Sequence, residues 1–308
     1  ASMVENAGIP AGQIRGGCFC CRFNELTDVL HELIAAHRPD FILAEAVGSC
    51  TDLTATVIRP LKSMHGEAIR VRPLTTVIDS LRLEEMLTGS DEGFTPEIRY
   101  IFRKQMEEAA CLVLNKTDLI TEARAAELIA NLQAQYPGAA VLSAVSNQNR
   151  GVGEWLDYIL SSEAVSAAVL DIDYDLYAEG EAQLGWLNAA FTWEGTIHDV
   201  ESICRAFLAR LSAQLGGDGA AIAHLKLWAQ DETHRLKMSV VRNESACETD
   251  VQPAAVWPSQ RVSVWLNARV RIEHERLMEQ VRSALDELRS AFGLEIAVHE
   301  LECFAPAR

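Results

Sequence analysis

Ala110-Cys111-Leu112-Val113-Leu114-Asn115-Lys116-Thr117-Asp118 is the stretch that decides the fold of this chain. Its uncharged, apolar first half has the length of a strand buried on both faces, and such strands belong to parallel sheets covered by helices. The polar tetrad that follows sits at the strand's carboxyl end, where open α/β sheets hold their ligands. Working outward, Phe41–Ala44, Pro73–Asp79 and Ala139–Leu142 repeat the buried-strand pattern. Helical spacing fills the gaps at Glu25–Ala36, Pro96–Ala109, Thr121–Gln135 and Gly153–Leu160, with Thr121 as an N-cap and Pro137-Gly138 closing its helix. Strands alternating with helices predict an α/β domain over residues 1–165, a mostly parallel sheet with helices on both faces.

Ser161–Ala178 changes character: small residues give way to Asp171, Asp173 and Asp175 without a helical period, which marks a linker. Beyond it, over residues 182–308, the order is strand (Trp186–Trp193), helix (Val200–Leu215), strands (Ile222–Ala229, Leu236–Val241, Val262–Ala268), helix (Glu273–Phe292) and strand (Glu295–Glu302). That is a split βαβ, ferredoxin-like α+β plan with an extra strand and its helices on one face. Alternation puts His299 and Cys303 on one face if the last strand runs on to Cys303, and strand-edge residues are the competing reading. Trp186, Trp193, Trp228, Trp257 and Trp265 read as core and interface anchors.

The balance of 44 acidic against 27 basic side chains leaves a net charge of −17, which repels phosphate backbones and anionic bilayers. Neither nucleic acid nor membrane is therefore an expected partner. No 18-residue uncharged apolar run and no secretion signal occur, so a cytoplasmic location is expected. Five of the eight cysteines are scattered singly in a chain large enough to need no staples, and reduced thiols are the expectation.

The other three form Gly16-Gly17-Cys18-Phe19-Cys20-Cys21. Adjacent Cys20 and Cys21 cannot serve one core face of a strand, and a Gly-Gly lead lets the backbone curl so that all three thiolates face one centre. Sulfur donors suit zinc, cobalt or nickel and argue against magnesium or calcium at this motif. The competing reading is an inert buried thiol patch.

Asn115-Lys116-Thr117-Asp118 offers a second chemistry. The Asp118 carboxylate can accept from N1–H and the exocyclic amine of guanine, the Lys116 stem can cover a base, and Asn115 can tie neighbouring loops. Together the motifs resemble the CobW-type family of metal-associated P-loop GTPases, relatives of HypB and UreG. Cys18, Cys20 and Cys21 match its Cys-x-Cys-Cys motif and Ile42–Gly48 its Glu-x-x-Gly strand end. Asn115–Asp118 is similar to its guanine-specificity motif, and Leu142-Ser143-Ala144 to the loop that presents backbone groups to the guanine carbonyl. The resemblance implies that Glu45 orients a Mg²⁺-bound water, that Gly48 offers its N–H near the terminal phosphate, and that GTP or GDP with Mg²⁺ is bound.

One family part is missing: no Gly-Lys-Ser or Gly-Lys-Thr occurs in the 308 residues. The residues from Val4 to Pro10 match what normally follows the second strand, so truncation of the first strand, P-loop, first helix and second strand is the expectation. The resemblance then implies a GTP-dependent metallochaperone or metallocofactor-maturation factor, cobalamin being one such cofactor. The phosphate-binding step would be disabled in this chain. Its partners would be a client metalloprotein or metallocofactor enzyme, with the second domain recognising the client or self-associating. The alternatives are a non-hydrolysing metal- or partner-binding module and a thiol redox protein.

Overall fold

The computed structural model describes residues 8–14, 18–66, 69–88, 95–162, 170–183, 185–243, 246–251, 253 and 255–304. Gly16 and Gly17 fall outside the described residues, as do most of Val4–Pro10 and the centre of the acidic segment after Ser161. The chain divides into two compact units, Ala1–Tyr177 and Ala178–Arg308.

In the first unit, β1 (Thr75–Asp79), β2 (Cys111–Asn115) and β3 (Ala140–Ser143) form a parallel sheet in the order β1-β2-β3. The register pairs Asp79 with Asn115 and Leu114 with Ser143, so the polar ends of the strands finish at one level. Around the sheet lie α1 (Phe23–His37), α2 (Arg59–His65), α3 (Ser80–Thr88), α4 (Pro96–Glu108), α5 (Glu122–Gln135) and α6 (Val152–Ser161). Period-2 alternation in β2 explains helices on both faces. Leu112 and Leu114 pack with Leu83, Met106, Leu128 and Leu132 on one side, while Cys111 and Val113 pack with Trp155 and Tyr158 on the other. Thr121 caps α5 by accepting the Arg124 N–H, as its sequence position requires.

Two sequence expectations fail here. Phe41–Ala44 is not a buried strand: it is irregular, and Phe41 and Leu43 are 67% and 79% exposed. An apolar run becomes a strand only when a neighbour takes up its N–H and C=O groups, and among the described residues none pairs with it. The second failure is at the linker, whose end carries α7 (Tyr174–Ala182). The Asp173 carboxylate accepts the N–H groups of Asp175 and Leu176, a local cap that starts a helix without an apolar period.

The second unit is a six-stranded sheet in the order β7-β6-β5-β8-β4-β9 with antiparallel neighbours. Its strands are β4 (Gly185–Ile197), β5 (Ala221–Gln230), β6 (Arg235–Val240), β7 (Glu248–Val251), β8 (Ser259–Arg271) and β9 (Glu295–Phe304). With α8 (Val200–Gly217) after β4 and α9 (His274–Phe292) before β9, this is the split βαβ plan extended at one edge by β6 and β7. Phe191, Trp193, Phe207, Leu211, Leu266, Val281 and Leu285 belong to one core of sheet and helices. Trp193 and Trp257 are fully buried, whereas Trp228 and Trp265 are only partly so. The expected pairing of His299 with Cys303 on one face does not occur. A bulge in β9 opposite Ala190 and Phe191 breaks the alternation, Cys303 packs against the core, and His299 bonds the Thr192 hydroxyl at 2.7 Å.

Candidate metal and nucleotide sites

Asn115 ends β2, and its Oδ1 accepts both the backbone N–H (3.1 Å) and the hydroxyl (2.9 Å) of Ser146. The tetrad is thereby tied to the loop after β3, as its chemistry suggests. Thr117 reinforces the tie by donating to the Ala144 carbonyl, while the Ala144 N–H donates to Leu114 O at 2.8 Å. Gly151 makes the return of this loop possible. It has φ +75°, and a Cβ there would lie 2.1 Å from Ser143 O.

Lys116 holds a left-handed φ of 59° and donates its ammonium to Asp79 at 2.9 Å, while its carbonyl accepts the Ser80 hydroxyl. Asp118 Oδ2 accepts Gln148 Nε2 at 3.2 Å. Nothing in the tetrad itself points to Gln148. Ser143, Ala144, Asn115, Lys116 and Asp118 converge at one end of the sheet. Glu45 and Gly48 lie on a separate irregular loop and are both exposed.

The cysteines form a turn that runs into α1. Arg22 N–H donates to Cys18 O at 3.0 Å, which brings residues three apart to one side, and Cys18 and Cys21 Sγ are 3.2 Å apart. Cys20 and Cys21 Sγ are 3.9 Å apart, and the three sulfurs all lie within 4.8 Å of one another. A zinc ion bonded to sulfur at about 2.3 Å needs sulfurs about 3.8 Å apart in a tetrahedron. The cluster is already near that size. Its place before the first turn of α1 puts the helix's positive end beside it, which favours thiolates.

The sequence reading did not single out Cys50, which is 4% exposed and whose thiol is influenced by Cys18 and Cys20. The thiols of Cys20 and Cys50 donate to Cys18 and, against the effect of burial, hold it far below the ordinary thiol range. Those bonds keep the proton on the donors. Cys18 is the main cause that pushes Cys20 up to about 12 and raises Cys21. Cys50 is raised strongly, first by Cys18, then by Cys20, with burial adding. All eight cysteines are free. A soft cation would displace the protons of such a cluster as it binds.

Residues 1–143 match the family described as "CobW/HypB/UreG, nucleotide-binding domain". No curated protein matches the chain. Among solved structures, the chain is similar to the Zn(II)-bound YjiA GTPase from E. coli, at 14% identity over 87% of this chain and 77% of that one, with a TM-score of 0.35. A Zn(II)-bound triple mutant of YjiA GTPase matches with the same values. Residues 1–143, a little under half of the chain, are thus similar to the CobW/HypB/UreG nucleotide-binding family.

Proposed function

We propose that the protein is a metal-associated, guanine-nucleotide-binding maturation factor or metallochaperone that holds a thiophilic divalent cation at Cys18, Cys20 and Cys21. The observation that carries this reading is the thiol cluster, three sulfurs within 4.8 Å at the start of α1. The family match supports the nucleotide half, with Asn115, Lys116 and Asp118 contacting the base and Ser143 and Ala144 its carbonyl edge. Glu45 would act at a Mg²⁺-bound water and Gly48 near the terminal phosphate, in a loop that runs directly into Cys50. Nucleotide state and thiol geometry would then be coupled through that loop. The second unit would recognise a client metalloprotein or metallocofactor enzyme, in the cytoplasm.

Cobalt titration of the reduced full chain tests the reading. Thiolate-to-cobalt charge-transfer absorption should saturate near one equivalent and vanish when Cys18, Cys20 and Cys21 are all replaced by serine. Absorption that survives the triple replacement would put the metal elsewhere.

A further inference from the structure

We propose that the first unit binds a small aromatic monocarboxylate in a cavity of about 170 Å³ among α3, α4 and α5, with Arg103 and the Tyr136 hydroxyl donating to the carboxylate. The cavity shares no lining residue with the cysteine turn or with the Asn115–Asp118 tetrad, and the inference stands apart from the metal-binding reading.

The floor of the cavity is apolar. Leu83 of α3, Met106 of α4 and Leu128 and Leu132 of α5 line it, and all four belong to the core packed on one face of the parallel sheet. A space of about 150 Å³ takes one benzene-sized body. The ligand's apolar part is therefore a single ring and little more, which excludes a long acyl chain. A bare inorganic anion is excluded too, because it would give up its water against a floor that offers nothing in return.

The mouth has the opposite character. Arg99 and Arg103 both line the cavity from α4, four residues apart and so on one face of that helix. Arg99 Nη1 donates to Met86 O at 2.9 Å, which holds its side chain against α3, while Arg103 is exposed. Among the described residues no Asp or Glu lines the cavity, and Glu107, one turn further along α4, is paired with Lys104 at 2.9 Å. In a chain with 44 acidic against 27 basic side chains, two guanidinium groups and no carboxylate around one cavity favour an anion.

Tyr136 supplies a donor that lacks an acceptor. It follows α5, its N–H donates to Leu132 O at 2.8 Å, and it lies in the same apolar core at 7% exposure. Its hydroxyl is buried and has no hydrogen-bond partner among the described residues. A buried hydroxyl left unpaired bears its full desolvation penalty, which an acceptor inside the cavity would remove. Burial, with Glu107 adding, raises this hydroxyl above the ordinary tyrosine value, so it stays protonated at neutral pH and can only improve as a donor to an anion. A carboxylate accepts from a phenol and a guanidinium at once, and a ring attached to it fills the floor.

Fluorine NMR of para-fluorobenzoate titrated with the full chain is the test, since it needs neither metal nor nucleotide. Saturable broadening of the fluorine line is expected, reversed by excess benzoate and not by benzyl alcohol, which has the ring without the charge. Arg103→Gln and Tyr136→Phe, each checked for a wild-type melt, should weaken binding at least about tenfold and about threefold. Wild-type affinity in both variants would put the anion elsewhere and overturn the assignment. Competition by benzyl alcohol equal to that by benzoate would overturn the carboxylate class. A linewidth unchanged throughout the titration would show that the cavity holds water only, and would overturn the proposal outright.

Discussion

The Glu108 carboxylate, 1% exposed at the end of α4, accepts the backbone N–H of Thr54, fifty-four residues earlier in the chain. It anchors the far side of the loop that carries Cys50. Glu108→Ala leaves that buried N–H unpaired, and a loss of about 1–3 kcal/mol in unfolding free energy is expected. Urea denaturation of the metal-free protein measures it; an unchanged midpoint would show that the loop is held without Glu108.

GTP turnover should be negligible for the polypeptide of these 308 residues. Phosphate and Mg²⁺ contacts supply most of the stabilisation in phosphoryl transfer, and the guanine contacts proposed for Asp118 would not replace them. The measurement is phosphate release with GTP and Mg²⁺. Turnover abolished by Asp118→Ala would contradict the expectation.

Acid should weaken the second unit through Asp231. Burial raises its carboxyl, but hydrogen bonds from the Thr233 and His234 N–H groups and from Trp257 Nε1 outweigh it and bring the pKa from 3.8 to about 2. A depressed folded-state pKa contributes stability above the unfolded value and loses it as pH falls from about 4 through 2, an effect of about 2 kcal/mol. Asp231→Ala should therefore destabilise clearly at pH 7 and much less at pH 2. Denaturation at the two pH values checks it, and equal losses at both would refute the titration.

Residues 182–308 expressed alone should melt cooperatively, because β4, α8, β5, β6, β8, α9 and β9 supply a large continuous core of their own, from Leu187 to Ile296. Scanning calorimetry decides, and an insoluble or non-cooperative fragment would mean that the core is shared.

The sequence was most legible where apolar residues recur with a period. β2, α5, α8 and α9 lie close to where their patterns place them, because burial dictates both pattern and element. β7, Glu-Thr-Asp-Val, carries no such pattern and is a strand only because β6 offers it an edge. Phe41–Ala44 shows the converse, a strand-like run without a partner. The cysteine turn was visible as spacing, but Cys50 is a lone cysteine twenty-nine positions after Cys21, and only the folded loop buries it. Its one sequence signal is its place just beyond Gly48.

The position of β1 at the rim of its sheet has a colloidal consequence. Val77 there is 60% exposed, and among the described residues no strand pairs with β1 on the side away from β2. Such a rim is a template for a second molecule, and what holds copies apart at a distance is the surplus of 17 negative charges. Salt shortens that repulsion to a reach of about 10 Å at 0.1 M. Ionic strength, usually added to keep proteins dispersed, should here drive the molecules together, and dilute buffer should keep them apart.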